Sequence, residues 1–391
     1  MNVDRYLKLS RNYFICEDEH IDILYHIANN MFDLDLDIKV IYSYSARHEV
    51  INDNGRKVLI WDMNYWKLFE QYYLLAIALD EVVENQSDLT RCLDLISSIF
   101  LYFLANKFEN NADVSLSFAK ESLKAGYNHI PLTDESHPNF KTINSALFIS
   151  KVYIFHHELT HLLHDRKCAL RQKDLNEVKN SLKFIRDNMI SDDFLKYYSE
   201  FSKSDVCSII DEALNGKHDK IIDEMCADMR AMVESLELID IMNSKKMPHD
   251  ELVPFGRSCI STVRIFDTFL NSLIKETEYF APIIHFYTPQ AEDFAKQAIF
   301  KRKASNNKML LRVGMSYLLE DLQMVLKYKL YGHFHDKPPL VDNYEKYIVP
   351  RFEEFIKKYI PYIIGNACIS RDIDISDKQK ILMKDFLLGA V

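Results

Sequence analysis

Apolar positions recur at three- and four-residue spacing over most of the chain, the period of helices with one face turned to a core. The pattern predicts helices at Tyr65 to Glu84, Leu89 to Lys107, Ala112 to Ala125 and Lys141 to Asp165. Further helices are predicted at Asp174 to Ser191, Asp193 to Phe201, Asp205 to Asn215, Lys217 to Asn243, Val263 to Glu276, Ala291 to Ala304, Asn307 to Lys329 and Asn343 to Ile364. Eight glycines and ten prolines in 391 residues leave few breaks, so long helices should dominate. The early chain differs. Ile38 to Ser45 is rich in β-branched and aromatic residues, as a strand would be, and Lys57 to Asp62 follows an Asn54-Gly55 pair that signals a tight turn. The expected fold class is therefore mainly α (α+β), with a small N-terminal antiparallel sheet at about 36–62. Met247-Pro248-His249-Asp250-Glu251 is the best boundary, separating a domain at 1–246 from a helical C-terminal region at 247–391.

Composition narrows the class. An apolar fraction of 48% is ordinary for a globular protein, and the net charge of -10 with no basic stripe argues against a nucleic-acid partner. The seven cysteines are odd in number and scattered without C-x-x-C spacing, which fits neither a disulfide framework nor a thiolate zinc site. The run from Met1 to Tyr6 has no secretory signature, and no apolar stretch reaches the roughly 18 residues of a membrane span. A cytoplasmic protein without a membrane anchor is expected.

The chemistry concentrates in the helix predicted at 141–165. Four histidines and a glutamate crowd into Phe155-His156-His157-Glu158-Leu159-Thr160-His161-Leu162-Leu163-His164, which contains H-E-x-x-H. His157 and His161 are i and i+4, so both imidazoles can reach one ion from one helix face. Glu158, rotated about 100° from His157, lies beside such an ion rather than on it and is placed to act as a general base. Leu147, Phe148, Ile149, Val152, Phe155, Leu159, Leu162 and Leu163 form a wide apolar face, while His157, Thr160, His161 and His164 share the opposite stripe. Packing of that apolar face would hold the ligand rotamers stiffly. His156 is rotated off the stripe and is expected to be structural, whereas His164 could line a cleft.

Two histidines leave a catalytic zinc site one protein ligand short, because such sites usually take three and leave a fourth position open. The best completion is Ile222-Asp223-Glu224-Met225-Cys226-Ala227-Asp228-Met229-Arg230-Ala231, where Glu224 and Asp228 are again i and i+4. The small residues Ala227 and Ala231 share their stripe and would let this helix approach another. Glu224 is read as the third ligand. Asp228 is read as the carboxylate that takes a hydrogen bond from the far nitrogen of a ligating histidine, most plausibly His157. The competing reading pairs Glu224 and Asp228 with Lys220 and Arg230 at the surface, and Glu212 is the next choice of ligand.

His157-Glu158-x-x-His161 followed by Glu224-x-x-Ala227-Asp228 resembles the gluzincin pattern of zinc metallopeptidases. Among these it looks most like the phage-exclusion (Lit-type) peptidases, with an echo in Ser136-His137-Pro138, and more distantly like ImmA/IrrE-type and HtpX-type peptidases; the HtpX branch is disfavoured because it carries membrane spans. The resemblance implies a zincin-like helical metallopeptidase domain binding one Zn2+. It also implies an intracellular endopeptidase acting on a protein or peptide substrate, a host translation factor during phage infection in the Lit-type case.

The expected chemistry is metal-assisted hydrolysis, with Glu158 moving the proton from water to the leaving amine. Oxyanion or cleft candidates are His164, His285, Tyr287, Tyr331, His333 and His335. His137 is expected to cap the helix that follows it, with contact to substrate as the alternative. The sheet near Lys57 to Asp62 is expected to offer an exposed edge on which an extended peptide could pair. A regulatory or toxin-like binding protein with a structural zinc stays open as the alternative, and a fourth protein ligand such as His164 or His156 would favour it.

Overall fold

The computed structural model describes residues 13–28, 36–44, 46, 48–53, 55–108, 112–131, 136–190, 202–243, 249–285 and 344–355, with 192, 195 and 319. The chain divides into two compact units. The first comprises Met1–Asn144, Phe266–Phe300 and Asp342–Val391, and the second Ser145–Ile265 and Lys301–Val341. Among the described residues the fold is mainly helical with one four-stranded sheet.

The first unit opens with β1 (Tyr13–Ile15) and α1 (Ile21–His26), followed by β2 (Leu36–Ser43), β3 (Glu49–Asp53) and β4 (Arg56–Asp62). The strands lie in the order β1-β2-β4-β3. β3 and β4 form an antiparallel hairpin closed at Asp53 and Arg56, where Gly55 takes φ 91°, a left-handed value that suits glycine. β2 and β4 pair in parallel from Leu36↔Lys57 to Ile41↔Asp62. The sheet is thus mixed, which corrects the expected antiparallel one. The Asn54-Gly55 signal joins β4 to the short polar strand Glu49–Asp53 rather than to β2. β4 is an interior strand, so any edge that the sheet offers lies at β1 or β3 and not at Lys57 to Asp62 itself. Its run Val58-Leu59-Ile60-Trp61 is buried at every position, as an interior strand covered on both faces requires.

Asp62 ends β4 and starts the next helix. Its carboxylate accepts the backbone N–H groups of Asn64 at 3.0 Å and Ser43 at 3.1 Å, capping α2 (Met63–Val82) while tying it to the end of β2. Asn85 caps α3 (Gln86–Lys107) by accepting the Ser87 N–H at 3.1 Å, and α4 (Ala112–Lys124) follows. The core here is aromatic. Trp61, Tyr65, Trp66, Phe69, Tyr72 and Phe100 gather with Phe266 at edge-to-face, tilted and stacked geometries.

The remaining helices are α5 (Phe140–Arg166), α6 (Cys168–Asn188), α7 (Lys203–Leu214), α8 (Asp219–Asn243), α9 (His249–His285) and the short α10 (Val349–Glu354). In the second unit α6, α7 and α8 share a core of Val178, Leu182, Ile185, Val206, Ile209, Ile210, Ala213, Ile222, Met225 and Met229. Ser202 and Asp205 start α7 with reciprocal side-chain to backbone bonds, a complete capping box.

α9 starts fourteen residues before the expected Val263, because Pro254 and Gly256 look like breakers and are instead inside the helix. Gly256 has a packing reason: a Cβ there would stand 2.7 Å from Leu236 Cδ2 of α8. The predicted helix at Ala291 to Ala304, all of Asn307 to Lys329 but Leu319, most of Asp193 to Phe201 and the end of Asn343 to Ile364 lie outside the described residues. Among the described residues no helix is long and apolar enough to cross a membrane.

Candidate metal centre

α5 is entered through His137, whose Nδ1 accepts the N–H of Asn139, the residue before the helix, at 3.2 Å and whose carbonyl accepts the Phe140 N–H at 3.0 Å. The helix is buried almost all round. Ile149, Val152, Tyr153, Phe155, Leu159, Leu162 and Leu163 are buried, and so are His156, His157, Thr160 and His164 on its polar side. His157, Thr160 and His164 on the polar stripe therefore meet protein, while His161 stays partly exposed. A helix enclosed in this way fixes its side chains by packing.

His157 and His161 turn their Nε2 atoms toward each other at 3.2 Å. Glu224 of α8 brings Oε2 to 3.5 Å from His157 Nε2 and Oε1 to 3.8 Å from His161 Nε2. One donor atom from each of the three lies within 4.8 Å of the others, the single such cluster of metal-capable side chains among the described residues. Two nitrogens each about 2.0–2.1 Å from a tetrahedral zinc stand about 3.3–3.4 Å apart, so the histidine spacing matches one tetrahedral edge. The oxygen distances require only small movements of an unbranched side chain. The donor set, two imidazoles and one carboxylate, is one that zinc takes at catalytic sites. His161 and Glu224 remain 34% and 37% exposed at their side chains, so the cluster has a solvent-facing side where a fourth ligand can enter.

No family model, curated protein or solved structure matches the chain. What the cluster can do is read from its own residues.

Asp228 sits where the motif spacing places it. Its Oδ1 is 2.8 Å from His157 Nδ1 and also accepts the Tyr153 hydroxyl at 2.9 Å. With Nδ1–H donating to Asp228, the lone pair of neutral His157 is on Nε2, aimed into the cluster. Burial opposes a positive charge on His157, but Asp228, then Glu224 and Glu158, outweigh it and raise its pKa well above the ordinary imidazole value. His161 is lowered instead, first by burial and then by the neighbouring His157, despite the pull of Glu224 and Asp228. The field of the site therefore favours one positive charge at the meeting point of the three donors. Glu158, the next residue after His157, is half-buried and close enough to act on that imidazole electrostatically.

The remaining candidates sort differently. His164, a candidate for lining the cleft, is buried with Nε2 2.8 Å from Asp174 Oδ2 of α6. His156 is structural as expected, its Nδ1 3.1 Å from Glu234 Oε2 of α8. Arg230 binds Asp174 and Glu234, which accounts for the Arg230 half of the competing reading and leaves its Lys220 half untouched. Glu212 bonds Lys217 at 2.6 Å on the exposed turn into α8 and is no part of the cluster. The side chain of His285, with Tyr287, Tyr331, His333 and His335, lies outside the described residues.

Sequence reasoning missed Tyr153, Asp174, Arg230 as an internal partner, and Glu234. Tyr153 was within reach of it, being one turn before His157 on the same helix. Asp174 and Glu234 carry no local signal, because each looks like a charge on the polar side of an amphipathic helix.

Proposed function

We propose that the chain is a zinc-dependent endopeptidase of gluzincin type, with a zincin-like metallopeptidase domain. The reading rests on one observation: His157, His161 and Glu224 converge from two helices with Asp228 on the far nitrogen of His157. In it His157 Nε2, His161 Nε2 and a Glu224 oxygen would hold one Zn2+. Zinc in such a site supplies Lewis acidity, polarising a carbonyl and lowering the pKa of water toward about 7.

The chain's own residues supply the rest. Glu158 takes the proton from the attacking water and delivers it to the leaving amine, a role that suits a carboxylate adjoining the centre yet reachable by solvent. Asp228 fixes the His157 tautomer and strengthens it as a donor, and Tyr153 fixes Asp228 in turn. The solvent-facing side at His161 and Glu224 admits a peptide carbonyl. A purely structural zinc would need a fourth protein ligand; the two nearest histidines on α5, His156 and His164, are engaged with Glu234 and Asp174. The Lit-type resemblance would make the substrate a host translation factor and the setting abortive phage infection.

The test compares wild type with Glu158→Gln. Both are analysed for metal and incubated with a cell lysate, whose proteins are then searched for new termini. Equal metal content with products from wild type alone supports the peptidase, whereas identical product profiles would sink it.

A further inference from the structure

Behind the donor cluster a second set of side chains runs unbroken through three helices of the second unit. His164 of α5 meets Asp174 of α6 at 2.8 Å. Asp174 also takes two bonds from Arg230 of α8, Nε to Oδ2 at 2.7 Å and Nη2 to Oδ1 at 3.1 Å. Arg230 continues to Glu234 Oε1 at 2.5 Å, and the other oxygen of Glu234 lies 3.1 Å from His156 Nδ1, back on α5. The circuit leaves α5 at one end of the H-E-x-x-H motif and returns at the other.

Its placement is not that of an ordinary surface ion pair. The side chain of Asp174 is only 4% exposed, and the two-pronged Arg230 contact is geometrically selective. Arg230 and Glu234 follow Asp228 on α8, so the circuit grips the helix just beyond the segment that carries Glu224 and Asp228. Arg171 of α6 binds Asp223 with two bonds, at 2.6 and 3.2 Å, just before that segment. This second contact is largely exposed and contributes little by itself. Together they brace α8 against α6 on both sides of the two carboxylates that face His157.

We propose that Asp174 is a positioning residue for the metal centre. By holding His164 and Arg230 at once, it sets the register of α8 against α5 that brings Glu224 and Asp228 to His157 and His161. Breaking a buried charge-assisted contact releases Arg230 and lets α8 settle differently, and a shift of well under 1 Å is enough to spoil donor geometry. The inference rests on the metal-centre reading and goes beyond it in saying which residue, touching no ligand, governs the affinity.

The test uses the full chain and zinc alone, titrated against a chromophoric chelator. Asp174→Asn, nearly isosteric, is compared with Val178→Ala, which weakens the buried core beneath the same helix without touching the circuit. Both are measured at a temperature where circular dichroism matches wild type, and cobalt(II) absorption reports the coordination geometry. Zinc binding weaker by about tenfold in Asp174→Asn, with a reduced or shifted cobalt band and Val178→Ala within twofold of wild type, is expected. Wild-type affinity in Asp174→Asn, or equal losses in both variants, overturns the proposal. Should Asp174→Asn fail to fold, Glu234→Gln opens the same circuit at its other end and is read by the same criteria. Failure of wild type itself to bind zinc would remove the centre, and is thereby distinguishable from failure of Asp174 to position it.

Discussion

Replacing Asp228 by asparagine removes one charge from the centre and almost no volume. Asp228 is 3% exposed and bonds His157 Nδ1 at 2.8 Å while also accepting the Tyr153 hydroxyl, so its effect on the centre passes through the buried His157 contact. A hydrogen bond to a charged partner contributes about 1.5–3 kcal/mol and a neutral one about 0.5–1.5 kcal/mol. The difference, about 1–1.5 kcal/mol, corresponds to about a tenfold loss of zinc affinity, at the lower end of the 10- to 100-fold typical of carboxylates behind ligating histidines. The loss should also depend on pH. Asp228 favours a proton on His157 as well as a metal, and the wild-type pKa is raised, so below that pKa the wild type must shed a proton before binding. In Asp228→Asn the pKa falls, because burial is then opposed by Glu224 and Glu158 alone. The deficit should therefore be largest at the alkaline end and shrink as pH falls. Chelator competition in steps from about pH 9 to about pH 6 reads both effects, a range that brackets ordinary imidazole titration. Wild-type affinity at the alkaline end would refute the role of Asp228, and a deficit constant across the series would refute the proton competition.

Two further outcomes concern stability. Gly256→Ala puts a Cβ 2.7 Å from Leu236 Cδ2, and the crowding, typically about 1–3 kcal/mol, should exceed the roughly 1 kcal/mol that alanine gains over glycine in a helix. Thermal unfolding should show a lower midpoint, with Leu236→Ala costing less in the Gly256→Ala background than alone; strict additivity would count against the contact. The carboxylates of Asp174 and Glu234 are held below their ordinary pKa values: burial works against their charge, but His164 and Arg230 outweigh it at Asp174, and His156 and Arg230 at Glu234. A carboxylate with a depressed folded pKa adds stability above its unfolded value and loses it as pH falls through the folded one, so unfolding free energy should decline below about pH 4. Asp174→Asn should flatten that decline, and an unchanged slope would remove Asp174 as its source.

The parts of the centre that the sequence declares are those encoded at short range. His157, His161 and Glu158 lie within five residues, Glu224 and Asp228 within five more, and helical periodicity alone orients each group. Even the partner of Asp228 could be anticipated, because only a ligating histidine leaves a second nitrogen pointing away from the metal. The circuit through Asp174, Arg230 and Glu234 has no such signature. Its members belong to separate helices, and each is an unremarkable charge until tertiary packing buries it. The sheet was misread for a related reason. Parallel pairing of β2 with β4 leaves no mark in the alternation of either strand, although the unbroken apolar run Val58 to Trp61 did point to an interior position. In α9, Gly256 lies against Leu236 of another helix, a contact that local sequence does not signal.

The central claim is that His157, His161 and Glu224 together form one metal site. Elemental analysis of the purified chain after zinc loading and removal of free metal tests it most directly. The account predicts one zinc per chain in wild type, and a content well below one in His157→Ala, His161→Ala and Glu224→Ala with the fold retained, as a three-ligand site requires. A zinc-free wild type, or full zinc retained by all three variants, would contradict it.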